Sequence, residues 1–153
     1  MIPVAIDTSV LVGLINPQDT WHGPAQRLHQ ALLAQDTAVI LFDCILAEAA
    51  SVIVRRLHEK GRFTAVDSFL QQLHQKYPAD SLTWIFPTVN SLYADSLTLM
   101  RSSNGALNFN DALIALACRE RNISAIVSFD TDFDMIPWLT RFSQPEQLAG
   151  KAP

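Results

Sequence analysis

Two rhythms of apolar and polar positions alternate along this chain. Short, nearly unbroken apolar runs recur at residues 2–6, 38–42 and 123–128, rich in Val, Ile and Ala. Runs of that length suit strands buried on both faces, as in a parallel sheet. Between them the apolar residues fall at helical spacing. Residues 21–34 carry Trp21, Ala25, Leu28, Leu32 and Leu33 on one face. A second helix starts at Asp43 and runs to Lys60, with Gly61 as its stop. A third covers 63–77, through Phe63, Val66, Phe69, Leu70 and Leu73, and Pro78 ends it. A fourth covers 89–100, with Val89, Leu92, Tyr93, Leu97 and Met100 on one stripe. Asn110-Asp111 opens a fifth, strongly apolar helix that turns charged at Arg119-Glu120-Arg121 and stops at Asn122. Residues 83–86, closed by Pro87, and residues 139–142 read as two further short strands. Residues 16–20 and 101–105 are turns, and 143–153 reads as a short polar tail. This alternation predicts one α/β domain over residues 1–153, with a mainly parallel sheet and right-handed crossovers.

Composition narrows the class. A chain of 153 residues buries roughly two-thirds of its unfolded surface. With 49% hydrophobic and 17% charged residues it is globular and rather apolar. No apolar run approaches the ~20 residues that span a bilayer. The N-terminus lacks a basic segment, and Asp7 interrupts the first apolar run, so no signal peptide is expected. Cys44 and Cys118 lie inside apolar helical patterns without metal-ligand spacing, which predicts buried thiols in a reducing cytoplasm. The net charge of −4 argues against a general basic coat but leaves room for a local patch. Arg55 and Arg56, in the densest basic run, are either a solvated helix end or an RNA-contacting rim. The four histidines are dispersed and take no catalytic role. Trp84, Phe86 and Tyr93, with apolar surroundings and few bases nearby, read as core or dimer contacts rather than stacking platforms.

Four carboxylates stand out against this background. Asp7 ends the first strand, and Asp130 follows the strand at 123–128, so a parallel sheet puts both at one carboxyl edge, where α/β folds bind ligands. Asp111 stands at a helix start. Glu48 is the only charge in Ile45-Leu46-Ala47-Glu48-Ala49-Ala50-Ser51-Val52-Ile53-Val54, with the nearest cations at Arg55 and Arg56. A helix that apolar should be largely buried, and a buried carboxylate must be protonated, paired or bound to a cation. Helix capping accounts for Asp7 or Asp111 taken singly. As a cluster, the four acids repel one another unless a divalent cation neutralises them. Oxygen ligands of this type suit Mg²⁺ or Mn²⁺, which activate water and stabilise a leaving oxygen. Thr8 and Ser9 are placed to hydrogen-bond a carboxylate. There is no Gly-rich phosphate loop.

In their order, Val4-Ala5-Ile6-Asp7-Thr8-Ser9-Val10-Leu11, Glu48, Phe109-Asn110-Asp111-Ala112-Leu113-Ile114-Ala115 and Ile126-Val127-Ser128-Phe129-Asp130-Thr131-Asp132-Phe133 resemble a PIN domain, closest to the VapC-like toxins of bacterial toxin–antitoxin pairs. Asp19-Thr20-Trp21-His22 and Pro145-Glu146 add to the resemblance. It implies a three-layer α/β/α fold and a Mg²⁺- or Mn²⁺-dependent ribonuclease with Asp7, Glu48, Asp111 and Asp130 as the acidic quartet. Thr8, Ser9, Ser128 and Asp132 become supporting residues, Ser128 standing where Thr is usual. RNA, a small antitoxin and a second copy of the chain are the implied partners. The alternatives are a housekeeping or non-catalytic module of the same fold, and an aspartyl-nucleophile phosphatase. The latter requires an Asp where Ser9 stands and a lysine that residues 77–150 lack.

Overall fold

Residues 2–149 are described by a computed structural model. Strands β1 (Val4–Ile6), β2 (Val39–Ile40), β3 (Ala125–Val127) and β4 (Thr140–Phe142) form an all-parallel sheet in the order β2-β1-β3-β4. The helices are α1 (Thr8–Ile15), α2 (His22–Ala34), α3 (Asp43–Glu59), α4 (Thr64–Lys76), α5 (Val89–Ser102), α6 (Phe109–Glu120) and α7 (Pro145–Ala149). Together they make the expected three-layer α/β/α architecture. β1 and β3 are buried along their whole length, which is why their sequences carry no polar alternation. The chain leaves β1 towards β2 on one side and later places β3 on the other. The point where strand order reverses therefore lies between β1 and β3, at the ends that carry Asp7 and Ser128.

Helix α1 leaves β1 directly and packs on α2 and α3, while α5 packs on α6. The α1–α2 approach depends on Gly13: a Cβ there would meet Ala25 Cβ at 2.9 Å and the Trp21 carbonyl oxygen at 3.1 Å. The α3 helix ends as expected, with Gly61 in the left-handed region at φ 65°, and Asn122 takes the same conformation after α6. Cys44 and Cys118 are buried free thiols, both pushed up to about 12 chiefly by that burial. None of the helices among the described residues is long and apolar enough to cross a membrane.

Several elements differ from the sequence expectation. Residues 83–86 are not a strand. Thr83 makes one parallel bridge to Phe42, and the chain then turns into a 3₁₀ segment, Phe86–Thr88. The backbone N–H groups of Ile85 and Phe86 go instead to the Asp43 carboxylate, at 3.0 Å each. Trp84, Phe86 and Tyr93 are not core, being 51%, 50% and 55% exposed. Trp21 and Leu33 likewise lie off the buried face of α2, which rests on Ala25, Leu28 and Leu32. No residue of α4 is fully buried. Helix α3 is only partly buried: Ala47 and Ser51 are exposed and Glu48 is half-buried. The stretch from residue 143 is not all tail, because α7 folds and buries Leu148, beside α2 and β4. The remainder of that tail, 150–153, lies outside the described residues.

Candidate functional site

Asp7 is buried at the end of β1 and is the N-cap of α1. Its Oδ2 accepts from Ser9 Oγ at 2.6 Å, Ser128 Oγ at 2.8 Å and the Ser9 backbone N–H at 3.2 Å. Burial pushes its carboxyl above the usual range, and these hydrogen bonds oppose the rise. The two serines come from opposite ends of the chain because β1 and β3 are neighbours in register. Ser9 Oγ also accepts the Phe129 N–H at 3.1 Å, and Ser128 Oγ the Asp130 N–H at 2.9 Å. The carboxylate of Asp7 thereby holds the β3 exit loop in place.

Asp130 begins that loop. It caps the 3₁₀ segment Thr131–Met135, its Oδ1 accepting the Asp132 N–H at 2.8 Å. Asp132 thus enters the cluster through its backbone. Asp111 stands in the first turn of α6 in a capping box with Asn108: the Asp111 N–H donates to Asn108 Oδ1 at 2.9 Å, and the Asn108 N–H to Asp111 Oδ2 at 3.0 Å. Glu48 Oε2 accepts from Thr8 Oγ1 at 2.9 Å and from Asn110 Nδ2 at 2.7 Å. Both donors are neutral, so they orient this half-buried carboxylate without cancelling its charge. Ser128, expected as a supporting residue, meets its carboxylate across 121 residues of chain; the role of Asn110 is recognisable only once the fold is assembled, since it meets Glu48 across 62.

Asp111 feels the charge of the other three acids. The Asp111 carboxyl is raised to about 6, first by burial, with the Asn108 N–H opposing, and further by repulsion from Asp7, Asp130 and Glu48. None of the four has a Lys or Arg nitrogen within 4.0 Å among the described residues. The donors are all oxygen and their charge is unbalanced, which fits a hard divalent cation. As the side chains stand, no three His, Cys, Asp or Glu among the described residues close into a cage. The fit therefore rests on charge and donor chemistry. A fifth buried acid, Asp43, is structural: its carboxylate also accepts the Cys44 N–H at 2.9 Å.

The two arginines of the basic run separate. Arg56 Nη1 donates to Asp19 Oδ2 at 2.6 Å, which fixes the loop ahead of α2. Arg55 is exposed. His22 ties down the same region through Nδ1, 2.7 Å from the Gly13 carbonyl.

Residues 4–139 match the family model described as PIN domain. No curated protein sequence matches the chain. Among solved structures, the chain is similar to one in the crystal structure of VapBC2 from Rickettsia felis bound to a DNA fragment from the promoter. The TM-score is 0.59 at 20% identity, over 93% of this chain and 98% of that one.

Proposed function

Since the chain belongs to the PIN domain family, whose members are generally nucleases, we propose that it is a Mg²⁺- or Mn²⁺-dependent endoribonuclease and the toxin of a type II toxin–antitoxin pair. The observation that carries this reading is the crowding of four acids, from four different elements, at the switch point of a parallel sheet, with Asp111 raised to about 6. Asp7, Glu48, Asp111 and Asp130 would hold the ion. Mg²⁺ keeps several of its waters, so two direct carboxylates and water-mediated contacts to the others suffice. When bound, such an ion supplies an activated water and a counter-charge for phosphate oxygens.

The chain's own residues do the positioning. Ser9 and Ser128 hydrogen-bond and orient the Asp7 carboxylate, and Thr8 and Asn110 do the same for Glu48. Asp111, raised to about 6 by burial and by its acidic neighbours, is a carboxyl whose ionised form a bound cation would favour. The fold shared with a VapBC2 chain supports an antitoxin partner. Large apolar side chains left exposed at the start of α4, on α4, on α5 and between them, among them Phe63, Leu70, Trp84 and Leu97, support contacts with that partner or with a second copy. Cytoplasmic location belongs to the same reading.

Wild type is expected to cleave a panel of RNAs with Mg²⁺ or Mn²⁺ and to stop in EDTA. Asp7→Asn should lose more than the roughly 10–100-fold that follows loss of an outer partner alone. Equal cleavage by wild type and Asp7→Asn, or none by either, refutes the nuclease.

A further inference from the structure

Beside the acid cluster, a cleft of about 420 Å³ opens between the start of α2, the β3 exit loop and the chain after β4. Its walls include Phe129 and Thr131, the two neighbours of Asp130, so it continues the same sheet edge. The Trp21 ring lies flat on Phe129, with centroids 4.5 Å apart and planes within 13°. Phe129 is itself held by Ser9, the residue that also holds Asp7. Trp21 remains 47% exposed although one face is covered, which costs apolar hydration unless something else stacks there. Arg27, exposed, and Arg141 also line the cleft. Arg141 uses three of its five N–H donors, on both oxygens of Asp134 and on the Ser128 carbonyl. Its other two donors, on a side chain 12% exposed, have no hydrogen-bond partner among the described residues. Gln144 and Glu146 add polar edges to the rim.

We infer that this cleft is a base-stacking subsite for single-stranded RNA, in which Trp21 stacks a nucleobase flanking the cleaved bond while Arg27 and Arg141 face its phosphates. The inference rests on the nuclease reading of the neighbouring acids. Unpaired bases present open π-faces and hydrogen-bonding edges, which duplexes do not. A flat aromatic face beside two cations matches that chemistry, and Gln144 and Glu146 suit the edge of a base carrying an amino group. An acidic peptide would meet Glu146 and the acid cluster. A duplex is too wide for a cleft of this size.

The test uses steady-state cleavage of a defined single-stranded RNA oligonucleotide by wild type, Trp21→Ala and Trp21→Phe. The same oligonucleotide is then made abasic at one position at a time on either side of the cut. Trp21→Ala should raise KM about tenfold with kcat little changed, and Trp21→Phe should recover most of the loss. One abasic position should cost wild type a similar factor and cost Trp21→Ala nothing more. If wild type cleaves but every abasic position affects both proteins alike, the subsite is refuted. If wild type cleaves no RNA, the nuclease reading falls and the subsite with it. The wild-type half of the abasic series needs no mutation of the protein, so a folding defect in Trp21→Ala leaves it readable: if no abasic position slows wild type, the subsite is refuted.

Discussion

Three of the four clustered acids do two jobs with one carboxyl group. Asp7, Asp111 and Asp130 each accept a backbone N–H at the start of a helix or 3₁₀ turn, and Asp111 lies within electrostatic reach of the other two. Capping and the proposed ion binding, which look like competing explanations in the sequence, are compatible because a carboxylate has more lone pairs than a cap consumes. Glu48 caps nothing. Its orientation comes from Thr8 and Asn110, so its placement is the more easily disturbed. Asn110→Leu should raise the Mg²⁺ concentration needed for half-maximal RNA cleavage by roughly 10–100-fold, as loss of an outer-shell partner does. Stability should change by only about 1 kcal/mol. A metal titration identical to wild type would show that Asn110 does not position Glu48.

Among the elements, the segment after α4 shows how a side chain can redirect a strand. Thr83 begins a parallel pairing beside Phe42, its N–H reaching the Leu41 carbonyl at 2.8 Å. The next donors, Ile85 and Phe86, are captured by Asp43, so the ladder stops and the chain turns. β-propensity alone reads Thr83-Trp84-Ile85-Phe86 as a strand because it cannot weigh a buried acceptor 42 residues away. Asp43→Ala would strand three N–H groups, two of them buried, and is expected to cost about 2–4 kcal/mol in urea unfolding, with Asp43→Asn costing less. A loss below about 1 kcal/mol would mean that solvent replaces Asp43 freely.

For the whole molecule, gathering four acids at one edge works against folding in the absence of a cation. Asp111 titrates at about 6 in the fold against an ordinary value of 3.8. Between those values the native state holds the proton that the unfolded chain has released, so stability falls as pH rises through the window. The deficit is complete above about 6 and absent below about 4. Burial of Asp7 acts in the same direction. Asp111→Asn should therefore stabilise the metal-free protein at about pH 7.5 relative to about pH 4. The gain is on the order of 1 kcal/mol, discounted because the group is only half-buried. Urea unfolding at the two pH values reads it directly. A variant that gains nothing between them would show that the cluster is not strained by its own charge.

The alternation of buried strands and amphipathic helices, the parallel sheet, and the standing of Asp7, Asp111 and Asp130 at the ends of elements were determined by the sequence alone. They follow from local periodicity and from the residue types that begin and end helices. The tertiary structure decided which groups meet. Strand order β2-β1-β3-β4 brings Ser128 to Asp7 across 121 residues, and the packing of α1, α3 and α6 gives Glu48 two neutral donors in place of an arginine. It also left Trp21 half-exposed on Phe129, although helical spacing assigns that residue to the core. Burial and partnership depend on which surfaces the chain folds together, and a pattern read over one or two helical turns carries no information about a neighbour a hundred residues away.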